Sequence, residues 1–349
     1  MRLKNGLLLG TLIAVLVSTG FFAGSNVSAK KPMLINAAGA TFPYPLYSKW
    51  LHEYRNVDSD VTINYQSIGS GGGIRQLLDG TIDFGASDAP MKQNERDRAK
   101  MPVLHIPTVL GAVSVSYHVP GAGNYLKLEA DVLADIFLGK ITKWNDPRIA
   151  TVNTEHALPN LSILVAYRSD GSGTTAIFTD YLAKISTEWK DQVGAGKAVK
   201  WPTGLGGKGN EGVAGLIKQT PGAIGYIELA YAKNNGLNVA SIQNKSGEFI
   251  PPSIDGVSAA ANDVFSRTPV KLDVSITDST AKGAYPISGF TYLLIYEQLN
   301  GLKGQKIINF LKWAVGPGQE FAAALSYAPL PSKLIKTVNE KIGEIKLVE

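Results

Sequence analysis

Three short clusters of Gly, Ser and Thr carry the most legible chemistry in this chain of 349 residues. They are Ala38-Gly39-Ala40-Thr41-Phe42, Gly69-Ser70-Gly71-Gly72-Gly73 and Arg168-Ser169-Asp170-Gly171-Ser172-Gly173-Thr174. Each stands just before a stretch with helical periodicity. Each therefore offers closely spaced backbone N–H groups, a hydroxyl and the positive end of a helix dipole, a combination that suits an anion. Consecutive N–H groups form a concave nest, and glycine lets the backbone come close to its guest. Thr41, Ser70, Ser172 and Thr174 add hydroxyl donors. Arg168 adds one full positive charge on a planar fork suited to a tetrahedral oxyanion. Taken singly, such clusters are also ordinary N-caps and strand–helix turns. Three in one chain, one of them with an arginine, point to a single oxyanion held from several sides. A fourth segment, Gly85-Ala86-Ser87-Asp88-Ala89-Pro90, ends another apolar run and carries a carboxylate, which in such a place is also a common helix cap or surface charge.

These groups need elements to hold them. Met33–Ala37, Val61–Gln66, Ile82–Ala86, Ser162–Ala166 and Ala223–Ile227 read as strands. Pro45–Tyr54, Ile74–Leu78, Ala130–Leu138, Thr174–Lys184, Gly212–Gln219, Leu302–Trp313 and Leu334–Ile345 have helical periodicity. Such alternation predicts an α/β fold with a mainly parallel sheet. The clusters then fall where a strand hands over to a helix, on the rim where doubly wound sheets bind ligands. Two longer β-rich runs, Val103–Tyr117 and Ile287–Tyr296, bracket the middle of the chain and would let it cross into a second domain and return. The expected division is residues 30–107 plus 284–349 for a discontinuous first domain and 108–283 for the second. Gln192–Asn210 and Asn244–Ile254 read as loops.

The start of the chain reads as an export signal. Arg2 and Lys4 precede an apolar run from Leu7 to Val17, and Val27-Ser28-Ala29 supplies small residues for cleavage after Ala29. The apolar run is short of the roughly 20 residues that span a bilayer. Removal of residues 1–29 leaves 320 residues, too many for one comfortable core, and lowers the formal charge from +5 to +3. That mild excess helps steer anions but is no nucleic-acid footprint. Cysteine is absent, which excludes thiolate metal sites, cysteine nucleophiles and a lipidated N-terminal cysteine. The expectation is a freely soluble, monomeric protein of the periplasm, with no cofactor and no metal.

Five motifs then resemble one family. Ala38-Gly39-Ala40-Thr41-Phe42-Pro43, Asp83-Phe84-Gly85-Ala86-Ser87-Asp88-Ala89-Pro90, Asp170-Gly171-Ser172-Gly173-Thr174, Gly206-Gly207-Lys208-Gly209-Asn210 and Pro221-Gly222-Ala223-Ile224-Gly225-Tyr226 resemble, in order, the periplasmic phosphate-binding proteins of high-affinity phosphate ABC transporters. The resemblance runs from about Asn36 to the C-terminal region. It implies a two-domain periplasmic-binding-protein fold of type II, two hinge-strand crossovers and desolvated phosphate in the interdomain cleft. By the same resemblance the phosphate accepts bonds from Thr41, Phe42, Ser70, Arg168, Ser172, Gly173 and Thr174. Asp170 orients the arginine, Asp88 accepts the phosphate's proton, and the partners are inorganic phosphate and the membrane permease. Gly71 stands where the family often has serine, which puts one secondary contact in doubt.

For a phosphate binder the role of Asp88 follows from chemistry. Phosphate near neutral pH keeps a proton and sulfate has none, so an ionised carboxylate facing the ligand accepts from one and repels the other. A site built to pair one polar group rejects analogues lacking it by roughly 10⁴ or more.

Other readings compete. Gly204-x-Gly206-x-x-Gly209 spells a dinucleotide fingerprint but follows Trp201-Pro202-Thr203 instead of a buried strand, and reads as a helix-capping loop. A serine hydrolase using Ser172 lacks the Gly-x-Ser-x-Gly elbow. None of His52, His105, His118 and His156 sits where a base is expected. Sulfate and molybdate binders share the architecture, but a carboxylate facing the ligand should exclude fully deprotonated anions, whereas arsenate carries a similar proton and stays open as a ligand.

Overall fold

The computed structural model describes residues 31–267 and 272–349; the expected export signal at residues 1–29 lies outside them. The elements begin with β1 (Met33–Gly39), α1 (Tyr44–Val57), β2 (Val61–Ser67), α2 (Ser70–Leu78), β3 (Phe84–Ser87), α3 (Gln93–Arg96) and β4 (Val103–Tyr117). Next come β5 (Lys127–Leu128), α4 (Ala130–Phe137), α5 (Pro147–Ala150), β6 (Leu164–Arg168), α6 (Gly173–Ile185), α7 (Thr187–Gln192), β7 (Leu205–Gly207), α8 (Gly209–Gln219), β8 (Ala223–Glu228) and α9 (Leu229–Asn235). Then follow β9 (Asn238–Val239), β10 (Ser241–Gln243), β11 (Phe249–Ile250), α10 (Ile254–Arg267), β12 (Ser288–Tyr296), β13 (Gln298–Asn300), α11 (Gly301–Val315), α12 (Ser332–Gly343) and β14 (Lys346–Val348).

Eight strands follow the order β2-β1-β3-β12-β4-β8-β6-β7, and β9 also pairs with β4. β1 runs parallel to β2 and β3, and β6 runs parallel to β7 and β8. Between these two parallel sets stand β12 and β4, antiparallel to each other and to their outer neighbours β3 and β8. The sheet is thus mixed where the alternation predicted a mainly parallel one. Alternation sees the strand–helix–strand units of each set, but not the two long strands that join the sets.

β4 does that joining. Its residues Val103–Ala112 pair with β12 and Val113–Tyr117 pair with β8. All 15 of its residues are buried, which suits its unbroken apolar and β-branched composition. The register with β12 slips between Thr291 and Tyr292, opposite Val109 and Pro107. Pro107 has no N–H to give the ladder, and a slip at that point is the expected accommodation. The expected domain boundaries fall at this slip, between 107 and 108, and shortly before β12, between 283 and 284.

The helices cover the sheet with apolar faces. Leu46, Tyr47, Trp50 and Tyr54 of α1 are buried, spaced for one face of a 3.6-residue period, and a proline occupies its first turn. α2 starts at Ser70 and α8 at Gly209, each a turn or so earlier than the apolar pattern indicated. Their first turns are Gly-rich or polar and carry no periodic signal. The 14-residue helix α10 had no counterpart in the sequence reading, and β7 and β11 lie in segments read as loops.

Candidate anion-binding site

Every residue singled out for chemistry lies at the carboxyl end of a parallel strand. Thr41 and Phe42 follow β1, Ser70 follows β2, Asp88 follows β3, Arg168 ends β6, and Gly209-Asn210 follows β7. Within each set the ends line up because the strands are parallel. The ends of the two sets meet directly. Gly71 N–H donates to the Gly171 carbonyl at 2.8 Å, and Gly173 N–H donates to the Ser70 hydroxyl at 3.0 Å.

Arg168 supplies the charge. It is 4% exposed, and its guanidinium holds Asp170 through two bonds, Nε to Oδ1 at 2.8 Å and Nη2 to Oδ2 at 2.6 Å. This fork fixes the plane of the group and leaves Nη1 aimed at the Thr174 hydroxyl, 3.3 Å away. Burial alone would raise the Asp170 carboxyl, but Arg168 and the Gly209 N–H outweigh it and hold the group below the usual carboxylate range. The backbone of Arg168 is tied as well, its N–H donating to the Tyr226 hydroxyl at 3.0 Å. That tyrosine stacks between Phe178 and Trp201, with ring centroids 4.4 Å and 5.4 Å away, so the arginine rests on a rigid aromatic column.

Ser172 is more committed than its neighbours. Its hydroxyl oxygen caps α6 by accepting the Thr175 N–H at 3.0 Å, and its own N–H donates to the Lys197 carbonyl at 2.8 Å. The ordinary N-cap reading therefore holds for the oxygen, while the hydroxyl hydrogen stays available as a donor. Lys197 forms a 2.7 Å ion pair with Glu95, its side chain 9% exposed, and adds a tie between the segment after α7 and α3.

Asp88 faces this wall and is 4% exposed. Its Oδ1 accepts from the Thr291 hydroxyl at 2.8 Å and its Oδ2 from the Ser70 hydroxyl at 3.4 Å. Thr291 stands at the register slip between β12 and β4, where Thr108 of β4 has no register partner on β12. Burial pushes the Asp88 carboxyl up to about 7, against the lowering effect of Thr291, Arg168 and Ser70. A carboxyl so placed exchanges its proton near neutral pH.

Thr41 and Phe42 form the third side. The Thr41 hydroxyl accepts from the Asn210 side-chain amide at 2.7 Å and from the Asn210 N–H at 3.3 Å. The Thr41 carbonyl accepts from the Tyr231 hydroxyl at 2.6 Å, and the Phe42 carbonyl from the Tyr327 hydroxyl at 2.6 Å. The Phe42 ring lies against Gly111 of β4, where a side-chain carbon would sit 2.6 Å from the ring.

Asn210 was not singled out as a site residue, yet it is fully buried and bridges Thr41 to Thr174, the latter at 3.2 Å. Its signal lay in the Gly206–Asn210 motif. The letters of a dinucleotide fingerprint belong to β7 and the start of α8, where the Gly209 N–H donates to Asp170 at 3.0 Å. Tyr226 closes the Pro221–Tyr226 motif, whereas Thr291 and Tyr231 left no local signal. Gly71 has a steric reason to lack a side chain, since a Cβ there would lie 3.1 Å from the Gly171 Cα. His105 accepts the Met91 N–H at 3.0 Å, a structural contact.

Fold and site define a solute-binding protein. A family model described as a PBP superfamily domain matches residues 26–317. The phosphate-binding protein PstS of Pasteurella multocida is 44% identical over 94% of this chain and 93% of its own length. The phosphate-binding protein PstS of Methanocaldococcus jannaschii is 40% identical over 96% of this chain and 92% of its own. The crystal structure of a phosphate-binding protein from Stenotrophomonas maltophilia superposes with a TM-score of 0.65, covering 88% of this chain and 93% of that one. At 17% identity that likeness speaks to the fold, which is the type II periplasmic-binding-protein fold. The chain belongs to the phosphate-binding protein family, a family of solute-binding transport proteins and not of enzymes.

Proposed function

We propose that this protein binds inorganic phosphate in the periplasm and delivers it to the permease of a phosphate ABC transporter, acting as a monomer released by cleavage after Ala29. The observation that carries the reading is the convergence of one buried arginine, one buried carboxyl and donors from several strand ends on one point. Arg168, Ser172, Gly173 and Thr174 on one side, and Thr41, Phe42 and Ser70 on the other, supply charge and hydrogen bonds to the anion. Asp170 orients the arginine. Residues 30–107 with 284–349 and residues 108–283 form the two domains, and β4 and β12 are the hinge strands between them.

Asp88 makes the site selective. A carboxyl raised by burial and a phosphate oxygen share one proton, whichever of them carries it at a given moment. Sulfate brings no proton, so it enters only if Asp88 takes one from solvent. The donors explain the affinity for an oxyanion, and Asp88 explains the preference among oxyanions. Arsenate carries the same kind of proton and is the second reading. The test is titration calorimetry of the processed protein with phosphate, arsenate and sulfate. Phosphate binding that exceeds sulfate binding by orders of magnitude supports the proposal, and equal binding of the two would sink it.

A further inference from the structure

A second buried carboxyl stands behind the Thr41–Phe42 turn. Glu228 ends β8 and is fully buried. Its Oε2 accepts the Ala230 N–H at 2.7 Å and lies 3.1 Å from the Tyr327 hydroxyl oxygen. That same hydroxyl lies 2.6 Å from the Phe42 carbonyl. A carbonyl has no hydrogen to give and a tyrosine hydroxyl has one. The shorter contact takes it. The remaining contact joins two oxygens, and it is a hydrogen bond only if Glu228 brings the proton.

The other oxygen of Glu228 supports the same count. Among the described residues Oε1 has no hydrogen-bond partner, and it faces β4 about where a side chain on Gly111 would begin, 3.4 Å away. Ionised, the group would leave a charged oxygen bare in an apolar wall, which strongly disfavours the charged form. The titratable groups that face it are Asp88 at the end of β3, Tyr231 on α9 and Tyr327. Burial pushes the Glu228 carboxyl well above its usual range; the Ala230 N–H works against that rise and Asp88 works with it.

Glu228 is also tied to the opposite side of the site. Its backbone N–H donates to Asn210 Oδ1 at 3.0 Å, which turns the Asn210 amide toward Thr41 and Thr174. We propose that Glu228 is kept as a neutral carboxylic acid whose proton binds Tyr327 and, through it, holds the Phe42 carbonyl, so that it positions the Thr41–Phe42 donors for the anion. This rests on the phosphate reading above, and no assignment of the anion contacts includes it.

Infrared spectroscopy reads the proton directly. In the full processed protein carrying Asp88→Asn, at pH 8.5, the protonated-carboxyl C=O stretch should be present, shift in deuterated water and vanish when Glu228→Gln is added. Absence of that band would overturn the proposal. Phosphate titration reads the positioning. Glu228→Ala and Tyr327→Phe should each weaken phosphate binding by roughly tenfold, about one hydrogen bond. Glu228→Gln, which restores a neutral donor, should recover most of what Glu228→Ala loses. Equal losses in Glu228→Gln and Glu228→Ala would count against a donated proton, and Glu228→Gln alone serves both readouts if Tyr327→Phe does not fold. Failure of the unsubstituted protein to bind phosphate would overturn the anion reading, whereas the infrared band still decides the protonation of Glu228.

Discussion

The backbone N–H of Gly173 donates to the Ser70 hydroxyl at 3.0 Å, joining two clusters that are 103 residues apart in the chain. The same hydroxyl accepts the Asp88 N–H at 3.2 Å, so Ser70 ties Asp88 to the first turn of α6. No side chain fits at Gly173, because a Cβ there would lie 2.5 Å from Asp88 Cβ and 2.6 Å from Ser70 Oγ. Gly173→Ala should therefore push α6 away from Ser70 and weaken phosphate binding by at least tenfold, with a fall in melting temperature from overpacking of about 1–3 kcal/mol. Calorimetric titration and a thermal melt on one sample check both. Wild-type affinity in this variant would show that the contact is not needed.

Selectivity should depend on pH. Below about 7 the buried Asp88 carboxyl carries its own proton and presents a donor. Sulfate then finds a neutral partner, so phosphate-over-sulfate discrimination should shrink from pH 8 to pH 5 in competition titrations. In Asp88→Asn, which is neutral at every pH, discrimination should be small and nearly constant. A ratio that is the same at both pH values in the unsubstituted protein would argue against Asp88 as the discriminating group.

Stability should follow the same group. An aspartate in the unfolded chain titrates at about 3.9. In the folded protein burial lifts Asp88 to about 7. Between these values the folded state binds more protons than the unfolded state, so stability falls as pH rises through that window. The expected loss from Asp88 without phosphate is of order a few kcal/mol, and Asp88→Asn should make the slope shallower by that amount while the buried Glu228 carboxyl, also raised, keeps a fall of the same sign. Chemical denaturation at pH 4.5 and pH 8 measures the slope, and a parallel slope in the variant would assign it elsewhere.

Arg168→Lys keeps the charge but loses the planar fork that grips Asp170 at 2.6 and 2.8 Å. Phosphate affinity should drop by about 10- to 100-fold while discrimination against sulfate is kept, because both anions need the charge. A loss confined to one anion would be inconsistent with that division of labour.

Capture of the anion should be salt-dependent. Arg75, Arg98 and Lys208 line a polar depression of about 510 Å³ beside Asp170 and Gly171. The two carboxylates on its wall, Asp170 and Glu95, are already paired with Arg168 and Lys197. The three remaining cations should focus the field at this mouth. Replacing them together by glutamine should slow phosphate association several-fold at low salt, leave dissociation unchanged and have little effect near 1 M salt. Radiolabelled phosphate exchange supplies the rates.

Much of the candidate site is legible in the sequence because its groups are local. A strand followed by Gly, Ser or Thr and then a helix announces itself within a few residues, and Thr41, Ser70 and Thr174 stand in such places. Arg168 and Asp170 lie two apart and needed no tertiary knowledge. Thr291 and Asn210 did not announce themselves, because each is defined by a partner more than 30 residues away in the chain. The same limit explains the fold. The parallel units are local strand–helix–strand patterns, whereas the antiparallel seam of β4 and β12 is a pairing between distant segments. Helix starts were read late at α2 and α8, since a Gly-rich first turn has no apolar face.

The bond from Thr291 to Asp88 spans 203 residues, and the one from Tyr327 to Phe42 spans 285. A chain that emerges from the ribosome, or is threaded across a membrane, amino end first displays all three Gly-rich clusters long before these partners arrive. The cradle of N–H groups can form early as separate pieces, but Asp88, held until then by Ser70 alone, lacks its shorter bond from Thr291 until the last sixth of the chain begins to emerge. Maturation should therefore pass through a stage that is sticky toward anions in general and becomes choosy only at the end.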